Sequence, residues 1–184
     1  VFDYKGPHAV FQTCNFIPSG KTFHVTKTDG RHVEEFDGAP AAAQYLEATG
    51  LTAETFTVET AGAHPLALMV DNQPLIRAIS AMNDHGGLRL GGKLNAGSTA
   101  HLLNPIDLVE STESELREAI SSKGLVPRGA LFFNCVLRYS DAEKRGISKA
   151  YHQLLSRVPH IGFHTYGETW IGHINHTLTG VIFF

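Results

Sequence analysis

The chain has 184 residues, 42% of them hydrophobic and 18% charged, with a formal net charge of -3. That is enough apolar material for a packed core, and it lacks the basic excess that a nucleic-acid partner or a membrane surface requires. The longest apolar runs, at residues 66–70 and 181–184, are too short to span a bilayer, and there is no targeting or lipidation motif.

In chain order, residues 8–16 alternate as a strand, 17–21 form a turn cluster and 22–28 give a second strand. Asp29-Gly30 is a hairpin signal, with 31–36 as the returning strand. Pro40 opens a helix over 41–48, and Gly50 stops it. Residues 55–60, 65–70, 74–82 and 88–94 are expected as strands, and 98–103 follows another glycine-containing turn. An acidic start marks a helix over 111–121. Residues 130–138, ALFFNCVLR, are apolar on both faces and read as a central strand. Ser140 and Glu143 have capping-box spacing, and the helix they open shows the stripe Ile147, Ala150, Tyr151, Leu154, Leu155. Residues 161–166 and 177–184 are the last strands. The pattern predicts an α+β fold, mostly antiparallel sheet with helices packed against it.

The segment GFHTYGE, residues 162–168, is the richest in chemistry. As a strand it sends Ile161, Phe163 and Thr165 to the core, and Gly162, His164 and Tyr166 to solvent or a cavity. Gly167 then permits a bend that releases Glu168. The stretch is either a solvated strand end or the rim of a site. Cys135 reads as a small buried residue, or as a nucleophile if His164 and Glu168 lie beside it. The pairs His160/His164 and His173/His176 suggest zinc, but residues four apart on a strand are roughly 13 Å apart, so no metal site is expected. Residues 87–93 have P-loop spacing without its following Ser or Thr, since Leu94 stands there. The two cysteines, Cys14 and Cys135, suit a reduced, cytoplasmic protein. A start at Val1 rather than Met gives the expectation of a piece of a longer chain. Eleven histidines have no explanation at this level.

Four segments together resemble the C-terminal part of a FIST protein, a sensory module of signalling proteins. They are VEEFDGAPAAAQYL (33–46), GALFFNCVLR (129–138), GFHTYGE (162–168) and HINHTLTGVIFF (173–184). The resemblance divides the chain into 1–32, the tail of a FIST N-terminal domain, and 33–184, the FIST C-terminal domain. It implies a ligand sensor rather than an enzyme, binding a small molecule such as an amino acid and passing the state to a signalling output partner, with no cofactor. A protein-binding scaffold, or less favoured a cysteine hydrolase, is the alternative. Motif match and strand faces together nominate the ligand contacts. Arg138 would pair a carboxylate and Glu168 would receive an ammonium. Tyr166 would close over the apolar part, and Gly162 and Gly167 would leave room. Cys135 would pack beneath, and His176 falls near the family's Asn/His-Thr pair. His164 stands where the family has an aromatic residue.

Overall fold

A computed structural model describes residues 3–184, and the alternation at residues 8–36 appears there as β1 (His8–Cys14), β2 (Phe16–Asp29) and β3 (His32–Phe36). The expected turn at 17–21 is instead an irregularity within β2. Gly20 takes a left-handed φ of 91°, and the register slips between Pro18 and Thr22, so the chain bulges without reversing. β2 and β3 form the expected hairpin, with Gly30 at a φ of 58°. A short β4 (Ala39–Pro40) leads into α1 (Ala41–Thr49), which Gly50 ends in the left-handed C-cap conformation.

Residues 55–60 are not a strand. Thr57 and Thr60 form a capping box that starts α2 (Val58–Gly62). The threonines that suggested a strand here use their hydroxyls to satisfy helix-end N–H groups. Next come β5 (Leu66–Val70), β6 (Gln73–Arg77), β7 (Ile79–Met82), β8 (Leu88–Leu90) and β9 (Thr99–Pro105). The helix α3 (Leu108–Ser121) begins ahead of its acidic run, at Asp107, whose carboxylate accepts from the Glu110 N–H at 2.8 Å. β10 (Gly129–Cys135) stops at Cys135, and α4 (Val136–Lys144) begins with no loop between them. The strand reading of Val136, Leu137 and Arg138 is therefore corrected, and Ser140 lies inside a helix. Gly146, at a φ of 69°, interrupts the expected single helix, and α5 (Ser148–Leu155) buries Tyr151, Leu154 and Leu155 while Ala150 is exposed. β11 (His160–Thr165), β12 (Glu168–Thr169), β13 (His173–Ile174) and β14 (Thr177–Phe183) follow.

The chain divides into two compact units. The first comprises the chain up to Asn15, Ile106–Ile171 and His176–Phe184. Its sheet has the order β1–β14–β10–β11, antiparallel except for the parallel β10–β11 pair. One face packs Phe11, Phe132, Leu178 and Ile182 against Leu108, Leu116, Tyr151 and Leu155 of the helices. A row across that face reads Phe11, Gly180, Phe132, Gly162. A Cβ on Gly180 would come within 2.8 Å of both phenylalanine rings, which meet edge to face with centroids 5.6 Å apart. Glycine at 180 is what lets them meet. A Cβ on Gly162 would overlap the Phe132 carbonyl oxygen.

The opposite face of this sheet carries Val10, Ile161 and Phe163, which are 62%, 72% and 65% exposed. The expected burial of Ile161 and Phe163 is thus reversed. β11 is an edge strand, and it is the His160, Gly162 and His164 side that α5 flanks.

The second unit comprises Phe16–Pro105 and Gly172–Asn175. Its sheet runs β6–β5–β9–β2–β3–β8–β7. The two end strands, β6 and β7, are separated in sequence only by Ala78, so the sheet must curl until its ends approach. Phe23 and Phe36 stack at 4.7 Å in the interior, with Tyr45, Leu66, Leu88 and Leu90 around them. Arg77 is buried in this unit and donates to the carbonyls of Leu75, Ile76, Lys93 and His173. The elements amount to the expected α+β class, with a large antiparallel sheet and several helices. Among the described residues no helix is long and apolar enough to cross a membrane.

Candidate functional site

The switch from β10 to α4 fixes the first group of side chains. Cys135, the residue at the switch, is fully buried; its thiol donates to the Glu168 carboxylate, and the N–H groups of Leu137 and His176 point at its sulfur. Burial, with the nearby Glu168 charge, pushes the thiol up to about 11, outweighing those N–H groups and Arg138. This is the opposite of nucleophile activation. Glu168, only 3% exposed, accepts hydroxyl hydrogen bonds from Thr165 and, at 2.6 Å, from Thr177. Burial raises its pKa above the usual carboxylate value in spite of these donors.

A labelling prediction follows from this environment. Under native conditions a thiol reagent is expected to modify half-buried Cys14 first, and Cys135 only as the protein unfolds. Rapid native labelling of Cys135, followed by mass spectrometry, would support the hydrolase reading.

Arg138 sits in the first turn of α4 and is 1% exposed. Its guanidinium donates to Asn15 Oδ1 at 2.8 Å, Thr112 Oγ1 at 2.6 Å, the His176 carbonyl at 3.3 Å and the Tyr151 hydroxyl at 3.4 Å. Asn15 and His176 border points where the chain passes from one unit to the other, and the Asn15 carbonyl also accepts from the N–H of Ile106, another such point. His176 itself is buried with a left-handed φ of 57°. Burial, and then the Arg138 charge, lowers its pKa to about 3.

A groove of about 390 Å³ lies beside this cluster, between β11 and α5, with Phe132, Tyr151, Leu155, His160, Gly162 and His164 in its wall. The Tyr151 hydroxyl donates to Asn134 Oδ1 at 2.9 Å, and the Asn134 amide nitrogen lies 3.3 Å from His164 Nδ1. The His164 ring also packs at a tilt against Tyr139, with centroids 4.5 Å apart. His160 packs on Phe132 at 4.7 Å, with its Nδ1 bonded to the Val158 carbonyl at 2.9 Å. Asn134, Tyr151 and Arg138 thus join the groove to the buried cluster through side-chain hydrogen bonds.

The nominated residues therefore fall into three places. Arg138, Cys135, Glu168 and His176 come together, but inside the protein and bonded to it. Gly162 and His164 line the groove. Tyr166, 91% exposed, and Gly167 belong to neither group. Asn134, Tyr151 and Thr112 were missed. Asn134 left a readable signal, a lone amide in an otherwise apolar strand, whereas Thr112 left none. Among the described residues no group of three or more His, Cys, Asp or Glu side chains is placed to hold a metal ion.

The FIST C domain family model matches residues 41–170, more than half of the chain, and the chain belongs to that family. FIST C is a sensory, signal-transduction class of domain and not a known enzyme family. No curated protein and no solved structure matches the chain.

Proposed function

We propose that the protein is the ligand-sensing module of a signal-transduction protein, taking a small molecule such as an amino acid and relaying its presence to an attached output partner. The carrying observation is the groove between β11 and α5, whose polar wall continues through Asn134 and Tyr151 to Arg138. A ligand touching His164 would act on one end of that chain of bonds, and Arg138 holds the junction residues Asn15 and His176 at the other. We further assign residues 1–32 to the tail of a FIST N-terminal domain and 33–184 to the C-terminal domain, acting in the cytoplasm. The exposed Ile161 and Phe163 on edge strand β11 favour a second reading, a scaffold that binds another protein.

The test is a thermal-shift screen of the 184-residue chain against amino acids, small carboxylates and zinc. His160→Ala and His164→Ala are the matching variants because both side chains are exposed and neither fills the core. A ligand at about 100 times its dissociation constant should add about 2.7 kcal/mol of stability. A shift that disappears in both variants supports the sensor. A shift with none of the compounds, together with retained binding of a partner protein, supports the scaffold.

A further inference from the structure

The hydrogen-bond chain behind the groove has a fixed direction. A guanidinium carries donors and no acceptor, so the Tyr151 hydroxyl, receiving from Arg138 Nε, must spend its own hydrogen on Asn134 Oδ1. That orients the Asn134 amide with its NH₂ toward His164, so Nδ1 of His164 is the acceptor and the ring proton of the neutral imidazole sits on Nε2. The groove therefore meets its ligand with an N–H at residue 164. His160 is wired the other way. Its Nδ1 must donate to the Val158 carbonyl, which leaves Nε2 as an acceptor.

Resting on the sensor reading above, we infer that the groove takes an apolar carboxylate without an ammonium group, its carboxylate on His164 Nε2–H and its body against Phe132 and Leu155. Among the described residues no acid side chain lines the groove wall, which argues for this class because no carboxylate there receives an ammonium. Glu168, the residue nominated for that task, is buried and already accepts from Thr165 and Thr177. The acceptor on His160 is four strand positions from His164, roughly 13 Å along the backbone. An α-ammonium lies next to its own carboxylate and cannot reach it. An α-amino acid bound through His164 would thus gain no charged partner for its ammonium in the groove. The aryl or branched acid with no amino group loses nothing.

Two measurements on the 184-residue chain test the inference. Nitrogen-15 spectra of the histidine side chains should show His164 protonated at Nε2 and bare at Nδ1. Tyr151→Phe, which releases the Asn134 amide, should give a mixture of tautomers. A wild-type His164 protonated at Nδ1 overturns the proposal whatever binds. Binding is then compared for phenylacetate, phenylacetamide, phenylalanine and phenethylamine, which share a ring and differ in charge. Phenylacetate is expected to bind about tenfold more tightly than the amide or the amino acid, the advantage of a charged over a neutral acceptor. The preference should vanish in His164→Ala and return in part in His164→Gln, which can again present an N–H. Tightest binding of phenethylamine or phenylalanine through the same groove overturns the proposal and leaves the sensor standing. Binding of none of the four also overturns it, and the wider ligand screen then decides on the sensor separately.

Discussion

Acidification from pH 6.5 to pH 4 is expected to remove about 3 kcal/mol of stability through His176 alone. The folded protein holds this imidazole neutral, with a pKa near 3, because it is buried beside Arg138. In the unfolded chain it titrates near the ordinary histidine value of about 6.5. Between those values the unfolded state binds the extra proton, so stability falls as pH falls through the window. Glu168 works in the opposite sense. Its raised pKa favours the protonated acid in the fold, a contribution present at low pH and lost as pH rises through the folded value. Urea midpoints from pH 4 to pH 7.5 should therefore slope more steeply in Glu168→Gln than in the wild type. The His176→Asn variant should lose most of the slope, since asparagine tolerates a left-handed φ and does not titrate. An unchanged slope in that variant would sink the assignment to His176.

Replacing Arg138 by alanine is expected to cost about 3–5 kcal/mol, because several buried neutral acceptors would be left unsatisfied at about 1–3 kcal/mol each. Asn15, Thr112, Tyr151 and the His176 carbonyl would each lose a donor in a place water does not reach. A domain of this size has only about 5–15 kcal/mol in total, so the first unit should loosen under mild conditions. Hydrogen exchange should report it first in β1 and β14, the strands that follow or precede the tethered residues. Arg138→Lys keeps the charge but not the planar fork, and should fall between the two. Stability within 1 kcal/mol of the wild type in Arg138→Ala would show that the guanidinium is not the tether described, and would reopen its role as a ligand contact.

The sequence was legible where local chemistry decides the backbone. Asp29-Gly30, Pro40 and Gly50 each specify a turn or cap within a few residues, and the β2–β3 hairpin and α1 follow from them. It was illegible where two readings share the same residues. Val136 and Leu137 suit a strand or a helix equally, so nothing local marks the switch at Cys135, and the error carried Arg138 to the wrong surroundings. Thr57 and Thr60 concealed α2 for a similar reason, since threonine favours both strands and helix caps. At the site, strand alternation correctly grouped Gly162 with His164. It gave Ile161 and Phe163 the wrong exposure because which face a sheet covers is decided by helices distant in sequence. The same non-local packing buried Glu168.

The strand order of the first unit has a consequence for synthesis. β14 comes after both β1 and β10 in the chain, yet lies between them in the sheet. Until it leaves the ribosome neither of those strands has its main antiparallel neighbour, and Phe11 and Phe132 have no Gly180 between them. Residues 16–105, which make up nearly all of the second unit, are contiguous and can collapse long before that. The nascent chain should therefore pass through a stage with one half assembled and the other a set of apolar strands awaiting their middle member, the stage most dependent on chaperones.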